Sequence, residues 1–292
     1  MNPSRPASRI ICLGDLMIDV LALLPGPLAI GSDRPAPVSF ADGGSAANTA
    51  AWLAQLGVPA AFAGRIGDDA FGTAAVGRLQ ACGVETFVSI DPAEPTGVCL
   101  VLVSPDGERT MVPSAGANAT LGPADLPPFA AADRLHLSGY ALLNAGSRDG
   151  ALAALRRASE LAIPISVDLA SAAPIREAGR EQFLSWLPSG ALLLANSDEL
   201  AAVTDDVRTL VARGFTVVVK TGRDGATLAD ADGCRTVPTD AVDVLDSTGA
   251  GDAFAAGLLA ALHTGTPLID AVGAGNRAGA RALRTVGGRP AS

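Results

Sequence analysis

Near the C-terminus the chain reads Asp246-Ser-Thr-Gly-Ala-Gly-Asp252, followed by the apolar run that opens with Ala253-Phe254. Gly249, Ala250 and Gly251 precede a helix expected to begin near Asp252. The N–H groups of such a start lack intrahelical partners and carry the positive end of the helix dipole. They are suited to stabilising charge that develops on a transferring phosphoryl group. A carboxylate at that mouth is placed to take the proton of an attacking hydroxyl. Taken alone, Asp252 reads equally well as a helix cap. A second cluster, Asp42-Gly43-Gly44-Ser45-Ala-Ala-Asn48, also opens a helical pattern. Its glycines permit close approach of the backbone, and Asn48 offers a donor and an acceptor to hydroxyls. The plainer reading is a turn with Ser45 as cap. Asp15 and Asp19, in Gly14-Asp15-Leu-Met-Ile-Asp19, leave the end of an apolar run, which is where ligands bind in open α/β sheets.

Two further segments follow apolar runs. In Asn196-Ser-Asp-Glu199, Glu199 is able to hold the water shell of Mg²⁺ while Asn196 contacts phosphate. An isolated Asn-x-x-Glu is otherwise a capping box. Lys220-Thr221-Gly222-Arg-Asp-Gly225 gives a Gly-containing loop for a nucleotide, or an ordinary turn. No GxGxxG fingerprint follows a strand, and no GxxxxGK[ST] occurs, which argues against a dinucleotide enzyme and a P-loop kinase.

Positioning these groups requires a scaffold of strands and helices. The 292 residues are 49% apolar but only 4% aromatic, so the core is expected from Ala, Val, Leu and Ile. That suits a sheet covered by helices. Strands are expected at 9–13, 60–63, 135–137, 165–168, 191–195 and 216–220, with a hairpin at 226–228 and 233–237. Helices are expected at 45–56, 69–81, 147–162, 182–186, 198–203, 207–213, 251–262 and 268–283. This βα alternation implies a mostly parallel sheet covered on both faces. The Pro- and Gly-rich stretch 21–40 and the pair 98–103 and 109–112, joined through Asp106-Gly107, interrupt it. They are expected to form a small sheet, or lid, whose Arg109 either closes over a bound ligand or, the slightly preferred reading, is a solvated hairpin charge.

The net charge of −9 speaks against a nucleic-acid partner. Cys12, Cys82, Cys99 and Cys234 are scattered without a CxxC pair, which disfavours a zinc site or disulfide framework. No signal peptide or uninterrupted membrane-length apolar run is read, so a soluble cytoplasmic protein without a membrane partner is expected.

In order and type, these segments resemble the ribokinase-like (PfkB) family of carbohydrate kinases over about Arg9 to Pro290. The resemblance rests on Gly43-Gly44-x-x-x-Asn48 with Gly64-Arg-Ile-Gly-Asp-Asp69, on Asp246–Asp252, and on Ser114-Ala-Gly-Ala-Asn118, Asn196/Glu199 and Lys220–Gly225. It implies a three-layer α/β/α sandwich in one domain, with a β lid from about 16–41 and 96–113. It implies ATP-dependent phosphorylation of a primary hydroxyl of a small sugar, with Asp252 as general base and Gly249, Ala250 and Gly251 as anion hole. Asp15, Asp19, Gly43, Gly44 and Asn48 would bind substrate. Asn196, Lys220, Thr221, Gly222, Gly225 and Asn276 would serve the nucleotide, and Glu199 would hold Mg²⁺ through water. Asp246, Thr248, Ala282, Thr285 and Gly287 match positions of a monovalent-cation site, so the implied cofactors are ATP and Mg²⁺, with room for K⁺. The motif His136-Leu-Ser138-Gly-Tyr140, Asp15 in the first loop and the residues after Asp168 depart from familiar members and leave the sugar unnamed. A nucleoside of adenosine or pseudouridine type is the alternative substrate, and a non-catalytic sugar-binding protein the alternative class. Exposed lid edges suggest a lid-on-lid homodimer.

Overall fold

The computed structural model describes residues 8–106, 108–131 and 133–290. In chain order the first elements are β1 (Ile10–Leu13), β2 (Met17–Leu23), β3 (Val38–Gly43), α1 (Ser45–Gln55), β4 (Ala60–Gly67), α2 (Ala70–Ala81), β5 (Glu85–Asp91), β6 (Gly97–Val103) and β7 (Arg109–Ser114). There follow β8 (Arg134–Ser138), α3 (Tyr140–Leu143), α4 (Arg148–Glu160), β9 (Ile165–Asp168), α5 (Ala172–Ala178), α6 (Arg180–Ser185), β10 (Leu192–Asn196) and α7 (Ser197–Val203). The remainder is α8 (Val207–Ala212), β11 (Thr216–Lys220), β12 (Ala226–Asp230), β13 (Gly233–Val237), α9 (Ala250–His263) and α10 (Leu268–Ala282).

Among the described residues nine strands form one sheet in the order β13-β12-β11-β10-β9-β8-β1-β4-β5. Every neighbouring pair from β11 to β5 is parallel, whereas β12 and β13 complete the sheet antiparallel. Side chains alternate faces along a strand, and the apolar strands are buried on both faces. Ile10, Cys12, Leu194 and Val218 pack with α1, α2, α9 and α10 on one side. Ile11, Leu13, Leu193, Val217 and Val219 pack with α4, α6, α7 and α8 on the other. The low aromatic content is met by small residues at the tightest contact. A Cβ on Gly257 of α9 would fall 2.6 Å from Ala278 Cβ of α10, so these helices touch nearly backbone to backbone.

The second sheet runs β3-β2-β6-β7. It extends the expected lid slightly, to Gly43 and Ser114. The expected turn at Asp106-Gly107 lies partly outside the described residues, because Gly107 is not among them. Three elements had no counterpart in the sequence reading: β5, α3 and α5. The strand read at 60–63 continues through Gly64-Arg65-Ile66-Gly67, pairing with β5 as far as Asp91. Among the described residues no helix is long and apolar enough to cross a membrane.

Candidate active site

The C-terminal ends of β1, β8, β9, β10 and β11 meet the inner face of the lid across a cavity of about 1200 Å³. Register explains which lid residues face it. Asp19 pairs with Cys99, Cys99 with Pro113 and Val101 with Met111, so Asp19, Cys99, Pro113 and Met111 share one face of the sheet. All four line the cavity. The other face carries Val20, Phe40, Leu100 and Val112.

At the cavity floor stands Asp252, in the first turn of α9. The helix N-cap is Gly249 and not Asp252, so the carboxylate is free of capping. Gly249 has a left-handed φ of 70°, and a Cβ there would lie 2.4 Å from Gly288 O, so glycine is required on both grounds. Ser45 Oγ donates to Asp252 Oδ1 at 2.8 Å and Asn48 Nδ2 to Oδ2 at 2.9 Å. Burial pushes the Asp252 carboxyl up to about 7, against the two hydrogen bonds that favour its charged form. The expected role of Ser45 as helix cap is corrected: Gly44 occupies the cap, and the Ser45 hydroxyl serves Asp252.

Asp15 accepts the Ser45 N–H at 2.8 Å through Oδ2, while its buried Oδ1 has no protein partner. Gly44, at φ 92°, lets α1 start against the loop after β1; a Cβ would come 2.5 Å from Asp15 O. On β2, Asp19 lies so near Gly43 that a Cβ there would sit 2.4 Å from Asp19 Oδ1. Burial and the neighbouring Asp15 raise the Asp19 carboxyl to about 6, with Arg289 acting in the opposite sense. Together Asp15, Asp19 and Asn48 offer acceptors to a ligand that brings hydroxyl donors.

On the other side of Asp252, Lys220 Nζ donates to Asp168 Oδ2 at 2.7 Å. Burial works against its charge, but Asp168 and Glu199 outweigh that and keep the ammonium above its ordinary value. Gly251 lies beside it; a Cβ there would be 3.3 Å from Nζ. Asn196 and Glu199 form a complete capping box at the start of α7, with Glu199 Oε2 accepting the Asn196 N–H at 2.8 Å and Asn196 Oδ1 the Glu199 N–H at 2.9 Å. The plain reading of that pair is therefore realised. Even so, both residues line the cavity, and burial beside Asp168 raises the Glu199 carboxyl.

Thr221, Gly222 and Gly225 form a tight loop after β11, closed by Thr221 N–H on Gly225 O at 2.9 Å. Asn276 faces the same end of the cavity, but its amide donates to Val237 O at 2.9 Å and Pro238 O at 3.2 Å. It thereby anchors the start of the 238–249 segment to α10. Asp246, Thr248, Ala282, Thr285 and Gly287 are brought into one cluster. Within it, Asp246 accepts the N–H groups of Thr248 at 2.7 Å and Gly287 at 2.9 Å, while Thr285 Oγ1 donates to Ala282 O at 2.9 Å. Burial alone would raise the Asp246 carboxyl, but these donors and Arg109 hold it below the usual range.

Arg109 is not a solvated charge. From β7 it reaches the loop ahead of α9, donating to Asp246 Oδ1 at 2.5 Å, Ser247 Oγ at 3.1 Å and Thr248 Oγ1 at 2.7 Å. The sequence reading also passed over Asp168, whose signal was its place at the end of a buried strand, and Arg289, which had no signal in spacing or motif.

A family model described as pfkB family carbohydrate kinase matches residues 7–292. An ATP-dependent ribose-1-phosphate kinase of Halopiger xanaduensis is 35% identical over 94% of the chain and 90% of its own length. The aminoimidazole riboside kinase of Salmonella typhimurium is 32% identical over 84% of the chain and 82% of its own. Among solved structures, the fructokinase of Vibrio cholerae O395, determined in a fructose, ADP and calcium ion bound form, superimposes with a TM-score of 0.79 at 27% identity. That superposition covers 96% of this chain and 94% of the other.

Proposed function

The chain belongs to the PfkB family of carbohydrate kinases, and on that premise we propose that it transfers the γ-phosphoryl group of ATP to a primary hydroxyl held against Asp252. One observation carries the reading: a carboxylate with its pKa near neutrality projects from the first turn of an apolar helix into a large cavity, with a lysine alongside. A base poised near the working pH is where proton abstraction is most effective.

In this mechanism Asp15, Asp19 and Asn48 hold the acceptor's other hydroxyls. Asp252 takes the proton of the attacking hydroxyl as its oxygen bonds the γ-phosphorus, and the bond to the bridging oxygen breaks to leave ADP. The N–H groups at Gly249 and Gly251 face the charge on the transferring group, whereas the Ala250 N–H is engaged by Ser247 O at 3.3 Å, and Lys220 adds a cation beside them. Glu199, Asp168 and Asn196 suit a hard, water-coordinated cation, and Mg²⁺ bound there would neutralise phosphate charge. Thr221, Gly222 and Gly225 would border the nucleotide, with Asn276 keeping the 238–249 wall in place.

The acceptor is a small sugar. A riboside is the second reading, favoured by Tyr140, Leu143 and Asn144, which extend the cavity beyond the Asp15–Asp19 group. Phe40 cannot serve as a wall for a base, since it lies on the outer lid face, 64% exposed and stacked on Phe71. By name, both sequence relatives act on a ribosyl compound. The outer lid face, with Val38, Phe40, Leu100 and Val112 each about half exposed, supports a homodimer joined lid to lid.

The deciding experiment is ATP consumption against pentoses, hexoses, sugar 1-phosphates, keto-deoxy acids and nucleosides, with Mg²⁺ and with or without K⁺. Transfer to a sugar or riboside, lost in Asp252→Asn, is expected. No transfer to any acceptor would return the protein to a non-catalytic, sugar-binding class.

A further inference from the structure

The segment 287–289 crosses beneath the reaction centre. Gly287 N–H donates to Asp246 at 2.9 Å, and Gly288 O accepts the indole N–H of Trp52 at 3.0 Å. Arg289 then turns inward, with its side chain 11% exposed. Its Nε donates to Asn48 Oδ1 at 3.3 Å and its Nη2 to Gly43 O at 3.2 Å, while Nη1 lies 3.2 Å from Asp42 Oδ2. Asn48 is thus held at both ends, by a guanidinium on its oxygen and by the Asp252 carboxylate on its nitrogen. A guanidinium only donates and a carboxylate only accepts, so both neighbours select the same orientation of one amide.

We propose that Arg289 is a positioning residue for the reaction, orienting the Asn48 amide so that its NH₂ group stabilises the charged form of Asp252. This rests on Asp252 being the base. Without the guanidinium, nothing discriminates the two ends of the amide from that side, and rotation would set an oxygen against the carboxylate. Arg289 does not border the substrate cavity, so it acts through Asn48. The other groups facing Asp252 are the Ser45 hydroxyl on α1, Cys12 on β1, Asp15 in the loop after it, Asp168 at the end of β9 and Lys220 at the end of β11. The Cys12 thiol is buried and held neutral. Asp15 and Asp168 disfavour a charged Asp252, and Lys220 opposes them.

The test is a titration of the Asp252 carboxyl by ¹³C NMR in protein labelled at aspartate Cγ, without nucleotide or acceptor. The signal is identified by its loss in Asp252→Asn. Arg289→Met is expected to raise the midpoint by about one pH unit, the scale of a lost hydrogen bond to the charged form. Arg289→Lys should recover part of that shift. Asn48→Ala should raise the midpoint too, and adding Arg289→Met to it should raise it no further. If Arg289→Met does not fold, Gly288→Ala takes its place, because a Cβ there would fall 2.4 Å from Asn48 Nδ2 and displace the amide with the guanidinium intact. An unmoved midpoint in the folded variant, or the same added shift in the Asn48→Ala background, overturns the proposal. The titration reads the carboxyl directly, so such a result leaves the kinase reading standing. Conversely, failure of every acceptor in the activity screen leaves the titration interpretable.

Discussion

Asp252 is pulled in two directions at the scale of single side chains. Burial favours its neutral form and two hydrogen bonds favour its charge, leaving the carboxyl near 7. A base must be ionised, so kcat/KM is expected to rise as pH increases through about 7 and to level off above it. Asp252→Asn should lower kcat by about 10²–10⁴-fold, the usual yield of a positioned base, while acceptor affinity changes far less. A pH–rate profile whose acid limb ignores this substitution would remove Asp252 from the role. Most of the residues gathered around Asp252 carry a local pattern in the sequence. Small residues ahead of an apolar helix mark Asp252, and paired glycines ahead of another mark Asn48. What stayed hidden were residues with no local pattern. Asp168 meets Lys220 only because β9 and β11 flank β10, and Arg289 meets Asn48 across 241 positions of chain.

At the scale of elements, one side chain ties the lid to the loop ahead of α9. Arg109, from the far end of β7, grips the loop that leads into Gly249–Gly251. Lid position and anion-hole geometry are thereby linked. Arg109→Ala leaves Asp246 without its cation and should cost about 1–3 kcal/mol of that linkage. It is expected to appear as a drop of about tenfold or more in kcat/KM, with faster proteolysis of 24–37. Arg109→Lys should fall between. Unchanged kinetics with unchanged proteolysis would make the contact incidental. The lid itself was foreseen because a hairpin with no helix between its strands and a Pro- and Gly-rich excursion interrupt the βα alternation. The sequence could not reveal that its arginine points inward, since that follows from the register Val103↔Arg109 and the face it shares with Met111. The strand β5 escaped notice for a related reason. It lies at the sheet edge, and only Asp91 of its seven residues is fully buried.

For the whole molecule, the tuned carboxyl has a cost in stability. The Asp252 carboxyl is raised in the folded state from an ordinary value of 3.8 to about 7. A raised acid favours the fold below the unfolded value and loses that contribution as pH climbs through the folded one. Asp252→Asn should therefore raise Tm by several degrees at pH 8, where a few kcal/mol are regained, and by clearly less at pH 5, closer to the unfolded value. Calorimetry at the two pH values separates this from a general packing effect, which would shift both alike. Assembly is tested on the lid's outer face. Leu100→Asp should convert a dimer into a monomer by light scattering with little change in Tm, whereas a wild-type monomer would refute lid-to-lid pairing. The layered architecture was readable from βα alternation alone. The antiparallel edge formed by β12 and β13 was readable as a hairpin, because turn residues sit between two short apolar runs.

The hydrogen bond from Trp52 to Gly288 has a further consequence. The chain has two tryptophans, and the other, Trp186, packs under the guanidinium of Arg148 at 4.2 Å on the far side of the sheet. With Trp186 replaced by Phe, all indole emission would originate beneath the reaction centre. A red shift of that emission would then time the release of the 287–289 segment, giving the protein a built-in optical clock for the order in which its site comes apart.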